Sequence, residues 1–201
     1  MSRIGIIDLG IGNINSVQKA LTALRIDSIV SADFSVLRTL DKLILPGVGS
    51  FAAASHALDV DERRPMLTEL MHDKPLLGIC VGMQLLATTG LEHGANPGLG
   101  VVPGSVDMLS TTQPLPHVGW NRVCVDQSSP LFANIPDGSY FYFTHSYAFT
   151  VEQQQHRLAS TFYGVTFSSA VVNQRIYGVQ FHPEKSQQFG LQLLRNFVEL
   201  G

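Results

Sequence analysis

Three short apolar runs, each closed by a turn signal, constrain this chain more than any other feature. "RIGIID" (3–8), "DKLILPG" (41–47) and "KPLLGIC" (74–80) are continuous rather than alternating. A strand with one wet face alternates apolar and polar residues; a run without alternation belongs to a strand buried on both faces. Such strands occur in parallel sheets, because the crossover between parallel neighbours lays a helix over the sheet. Helical signals stand where those crossovers are needed. Val17, Leu21 and Leu24 recur at helical spacing in "INSVQKALTALR" (14–25), a helical segment begins near Ser50, and "VGMQLLAT" (81–88) reads as a helix. "DSIVSA" (27–32) adds a short strand. Strand and helix in turn predict βαβ units.

The second half changes style. "GVVPGSVDML", "GWNRVCVD", "SYFYFTHSYAFT" and "IYGVQF" are strand-like and separated by Gly, Pro, Asp and Asn turns. Its one strong helical signal is the C-terminal "FGLQLLRNFVEL". The predicted class is α/β: an open, mostly parallel twisted sheet with helices on both faces plus later antiparallel strands. With 201 residues, 45% of them hydrophobic, one domain over 1–201 can bury its own core.

Several function classes fall away on composition. A net charge of −3 offers no basic field for nucleic acid or an anionic membrane. No apolar run approaches the roughly 20 residues of a membrane span. The N-terminal "MSRIGIIDLG" lacks a small-residue cleavage site and reads as the first strand. Two cysteines form neither a disulfide framework nor a metal cluster, so no metal or cofactor is expected and a cytoplasmic setting is.

One of those cysteines occupies an unusual corner. Gly78-Ile79-Cys80-Val81-Gly82 has the form G-x-nucleophile-x-G where a strand turns into a helix. Glycines on either side permit the close backbone approach that such a turn needs. Amides at the start of the helix favour an adjacent thiolate, and the Val81 N–H is placed to hold an oxyanion. The bland alternative is a buried, inert Cys, and the segment alone does not exclude it. Cys124, in the alternating "RVCVD", reads as a core residue.

A thiol nucleophile needs a proton carrier oriented by an acid. "YGVQFHPEKSQ" (177–187) offers a strand ending at His182, then Pro183 and Glu184. His-x-Glu is a weak signal by itself, and a zinc-deaminase reading fails for want of P-C-x-x-C. "LILPGVGSF" (43–51) is a strand running into a Gly-rich turn whose N–H groups suit an anion. "DLGIGN" places Asn15 after Gly10 and Gly12 where a dinucleotide fingerprint needs a small residue, so that reading is rejected.

Together, "PGVGSF", "GICVGMQLL", "HVGWN", "YFTHSY" and "GVQFHPEKSQ" resemble, in this order, the triad-type (class I) glutamine amidotransferases. "HVGWN" and "HPEKSQ" resemble the branch that serves imidazole glycerol phosphate synthesis. The resemblance implies Cys80 as nucleophile, His182 as general acid/base and Glu184 as its orienting carboxylate. It implies an oxyanion site from the Gly47-Val48-Gly49 turn and the Val81 amide. L-Glutamine is expected on Gly49, Gln84 and the Ser146-Tyr147 backbone. The implied partner is a (β/α)8-barrel cyclase in a heterodimer, met through His117, Trp120, Asn121, Tyr142 and Lys185. Hydrolysis is expected to be weak until that partner binds its own ligand, through a Gly47–Gly49 peptide whose N–H must turn inward. Two departures stand out: Leu9 replaces a usual Tyr and Val81 a usual Leu. Competing readings are a glutaminase for anthranilate, guanylate or pyridoxal-phosphate synthesis, a catalytically silent interaction subunit, and a cysteine peptidase, the last unsupported because the glutamine-site pieces are present.

Overall fold

The computed structural model describes residues 2–200. The continuous apolar runs are strands buried along their whole length: β1 (Ile4–Ile7), β3 (Lys42–Gly47) and β4 (Leu76–Cys80). β2 (Ser28–Ser31) is partly open and takes the sheet edge. α1 (Ile14–Ala23), α2 (Phe34–Arg38), α3 (Phe51–Asp59) and α4 (Arg63–Asp73) fill the crossovers. α1 buries Val17, Ala20 and Leu21, the face its periodicity marks out. The helical signal after Ser50 is two helices, α3 and α4, broken where Asp61 and Glu62 take positive φ. Ser50 caps α3 by accepting from the Ala53 amide at 3.2 Å.

α5 (Val81–Gln84) is only four residues long, shorter than the predicted helix to residue 88. The carbonyls of Leu85, Leu86, Ala87 and Thr88 accept instead from the amides of Leu99, Val102, Gly100 and Gly98, at 2.7–3.0 Å. Backbone from a later loop takes over the acceptors that helical continuation needs. β5 (Thr89–Gly90), β6 (Asn96–Pro97) and β7 (Gly104–Met108) follow.

β8 (His117–Arg122) and β10 (Tyr140–His145) form a separate antiparallel ribbon; β9 (Cys124–Val125) lies between them in sequence. β11 (Tyr147–Val151), β12 (Arg157–Phe162), β13 (Thr166–Asn173) and β14 (Ile176–Val179) complete the strands, and α6 (Gln187–Glu199) ends the chain. The main sheet runs β2-β1-β3-β4-β14-β13-β11-β7-β5-β6, with β12 and β9 branching from β13. Its pairings are parallel from β2 to β14 and antiparallel from β14 to β7. This is the expected α/β architecture, and the buried apolar side chains form one continuous cluster.

Cys124 is exposed, contrary to its reading as core. In "RVCVD" the period of two turns Val123 into the core, so Cys124 faces out from a two-residue strand. No helix among the described residues is long and apolar enough to cross a membrane.

Candidate active site

In an open parallel sheet, functional groups collect beyond the carboxyl ends of the strands. Here β3 and β4 end side by side, with Gly47 opposite Cys80. β14, parallel to β4 on its other side, ends at Val179, so His182 stands three residues past the strand rather than at its tip. Those three residues carry the His onto the short turn Pro183–Lys185 above the Cys80 corner.

Cys80 has φ 55° and ψ −111°, a conformation that costs a residue with a side chain about 1–3 kcal/mol. Close packing maintains it. A Cβ on Gly78 meets the Gly82 carbonyl oxygen at 2.5 Å, one on Gly82 collides with the Leu45 carbonyl, and one on Gly47 comes within 2.7 Å of the Gly82 nitrogen. The three glycines therefore let β3, β4 and α5 touch through backbone alone. The resulting turn presents the thiol at the floor of a cleft of about 290 Å³.

The side chains of His182 and Glu184 are buried, and His182 Nδ1 lies 2.8 Å from Glu184 Oε1. That contact leaves Nε2 as the ring nitrogen facing the thiol, and Nε2 has no other partner. Burial opposes the imidazolium, but the Cys80 sulfur and then the Glu184 carboxylate outweigh it and hold His182 at about 9. The backbone ties this turn down: the His182 amide donates to the Tyr142 carbonyl at 2.9 Å, and Ser186 Oγ donates to the His182 carbonyl at 2.6 Å.

The rest of the cleft comes from the Val48-Gly49 turn, Gln84, Glu92 and the Thr144–Tyr147 segment. The Val48 amide donates to the Ile11 carbonyl at 2.7 Å, away from the cleft. Val81, first in its helix, has no intrahelical acceptor for its own N–H. Gln84 Nε2 donates to the Tyr147 carbonyl and to Gln180 Oε1, both at 3.0 Å, so its carbonyl oxygen is the atom left for a ligand. No cluster of three or more metal-ligating side chains exists among the described residues.

The family "Glutamine amidotransferase class-I" matches residues 5–200. This chain belongs to that family. It is 46% identical to the "Imidazole glycerol phosphate synthase subunit HisH" of Mannheimia succiniciproducens, over 96% of this chain and 98% of the relative. The HisH subunit of Caulobacter vibrioides is 41% identical over 99% of both chains. Among solved structures, a glutamine amidotransferase shares the fold with a TM-score of 0.77 at 20% identity, over 98% of this chain and 97% of that one. Within the class-I amidotransferases the chain falls with the HisH subunits.

Of the residues expected at the partner interface, His117 is buried and Asn121 is half-buried. His117, read as a partner contact, is buried: it stacks on Tyr163 at 4.0 Å and Phe143 at 4.9 Å between ring centroids. Asn121 shares that inward face, donating to the Phe162 carbonyl at 3.0 Å and lying 3.2 Å from His117 Nε2. Both follow from the period of two in β8, since Trp120 is an odd number of residues from each and points the other way. On that outer face Trp120 meets Tyr142 edge-on at 6.1 Å, and Lys185 Nζ stands 5.6 Å from the centre of the Tyr142 ring. Leu9 is buried in the core.

Glu92, which lines the cleft, and Gln180, buried beside the Cys80 sulfur, escaped the sequence reading. Glu92 is carried by a loop with no periodic signal; it accepts from the Phe51 amide at 2.6 Å. Gln180 looked like one more strand residue of "IYGVQF", though a polar side chain in a run buried on both faces was the available hint.

Proposed function

We propose that this chain is the glutaminase of an imidazole glycerol phosphate synthase, with Cys80, His182 and Glu184 as its triad. The observation that carries the reading is the Glu184–His182 contact of 2.8 Å with Nε2 left open toward the strained Cys80. The thiolate attacks the side-chain carboxamide carbon of L-glutamine. The oxyanion that forms is held by the Val81 N–H, joined by an amide of the Gly47–Gly49 turn once that peptide rotates. His182 gives a proton to the departing ammonia, then takes one from the water that attacks the thioester, and glutamate leaves. Glu184 keeps the ring oriented with Nδ1–H toward it and stabilises the imidazolium. Gln84 Oε1, the Ser146-Tyr147 backbone and Gly49 position glutamine, and the Glu92 carboxylate suits its α-ammonium.

Ammonia set free in neutral water is protonated and ceases to be a nucleophile, so the chemistry demands an acceptor close by. The acceptor in this reading is a (β/α)8-barrel cyclase that makes imidazole glycerol phosphate and AICAR in histidine biosynthesis. It docks on the ribbon face bearing Trp120, Tyr142 and Lys185. The whole chain acts as one domain in the cytoplasm and uses no cofactor.

The test is glutamate release by the complex with the cyclase. Cys80→Ala is expected to abolish it while glutamine binding persists; turnover retained by that variant overturns the assignment. Normal turnover indifferent to the cyclase keeps the triad and moves the chain to another synthase.

A further inference from the structure

Gln180 is a buried polar side chain beside the thiol that has no task in the triad chemistry. Gln180 is 0% exposed and follows β14 by one residue. Its Nε2 lies 3.7 Å from Cys80 Sγ, within hydrogen-bond range for sulfur, and its Oε1 accepts from Gln84 Nε2 at 3.0 Å. The other hydrogen of Gln84 Nε2 goes to the Tyr147 carbonyl, also at 3.0 Å.

The direction of this chain of amides is not free. A backbone carbonyl can only accept, so Gln84 must turn its NH2 toward Tyr147. That same NH2 offers its second hydrogen to Gln180, which must answer with its oxygen. The amide nitrogen of Gln180 is thereby left facing the sulfur. Reversing it would set two NH2 groups against each other in a buried site and place a carbonyl oxygen against a thiolate. His145 Nδ1, 2.9 Å from the same Tyr147 oxygen, also holds that carbonyl in place.

We infer that Gln180 is a positioning residue for the nucleophile, holding an N–H donor on Cys80 Sγ with its polarity set through Gln84 by the Tyr147 carbonyl. Cys80 is 4% exposed, so its thiolate has little water to replace a lost donor. An N–H bond to a charged sulfur is stronger than one to a neutral thiol, so the amide favours the reactive form. His182 supports the sulfur from the imidazole side and Gln180 from the side of the strand. The same network joins the Cys80 sulfur to Gln84. This inference rests on Cys80 being the nucleophile.

The experiment uses the full chain carrying Cys124→Ser, which removes the exposed thiol, and measures inactivation by iodoacetamide as a function of pH. This probe is small and neutral and does not use the contacts that hold the α-groups of glutamine. Gln180→Met removes the donor at similar length, and Gln180→Glu replaces it with an acceptor. The alkylation midpoint is expected to rise by about one pH unit in Gln180→Met and further in Gln180→Glu. For Gln180→Met, kcat falls about tenfold with KM changed less. If Gln180→Glu does not fold, Gln180→Met carries the same readout, with Gln180→Leu in reserve. A folded donor-less variant whose alkylation midpoint coincides with the parent's overturns the inference. Glutamine turnover that survives Cys80→Ser in the same background overturns the underlying nucleophile reading instead.

Discussion

The Val48 amide donates to the Ile11 carbonyl at 2.7 Å, joining the Gly-rich turn after β3 to the loop after β1. This bond directs the N–H away from the cleft in which an oxyanion has to be held. The Val81 amide stands there without it, and Gly49, with φ +101° and open space around its Cα, is the joint about which the peptide can turn. The free chain is therefore expected to hydrolyse glutamine slowly. Removal of one oxyanion donor slows acyl transfer by about 10²–10³ in other enzymes, so engagement of the cyclase and its ribonucleotide should accelerate glutamate release on that order. Equal rates for the free chain and the complex would place the second donor elsewhere.

His182, held at about 9 against an ordinary 6.5, keeps a proton in the folded protein that the unfolded chain gives up. Its contribution to stability is complete below pH 6.5 and is lost as pH rises toward 9. Glu184→Gln removes one of the two groups that raise it. Denaturation midpoints of that variant are expected to fall less steeply over this window, and the alkaline limb of its residual glutaminase profile to move toward neutrality.

Burial pushes His117 down to about 4 and His145 to about 3. Burial keeps both neutral, and a neutral His145 can accept at Nε2 from His117 Nδ1, 3.0 Å away. The unfolded chain takes up protons that the folded one refuses, so stability drops as pH falls from 6.5 toward 4. His117→Phe keeps the stack on Tyr163 and Phe143 and is expected to halve that slope, read from urea midpoints across the same range.

A methyl group on Gly82 collides with the Leu45 carbonyl, and neither backbone can withdraw without breaking the β3–β4 pairing. Gly82→Ala is expected to cost about 3 kcal/mol or more, or to prevent folding, when thermal unfolding is followed. Gly94→Ala, at φ +101° with nothing nearby, is the control and should cost about 1 kcal/mol from backbone strain alone.

Trp120 is 44% exposed and touches Tyr142 across the ribbon without entering the core. Trp120→Ala should leave the melting temperature nearly unchanged and weaken binding of the cyclase by about 2 kcal/mol, the size of an aromatic anchor. Titration of the two subunits checks both halves of that statement.

The parallel core was legible in the chain because continuous apolar runs admit few other structures, and Ile4–Ile7, Lys42–Gly47 and Leu76–Cys80 are strands where those runs stand. The Gly-x-Cys-x-Gly corner was legible too, since a side chain on so tight a turn demands glycine on both sides. Local pattern does not reveal where a backbone carbonyl finds its donor. The Val81 helix stops at Gln84 because the 98–102 loop captures the next carbonyls, and that loop lies ten or more residues further along the chain. Nor does pattern say which face of an isolated ribbon meets the core: His117 and Trp120 share one strand, and only packing against Phe143 and Tyr163 buries the first and leaves the second outside. Gln180 reaches the sulfur and Glu92 the cleft by the same kind of long-range arrangement. The sequence by itself marked out the buried parallel strands, the glycine-flanked Cys80 and the His182-x-Glu184 segment. The tertiary structure alone decided which amides face the sulfur and which way the Val48 peptide points, because hydrogen-bond direction is set by neighbours distant in the chain.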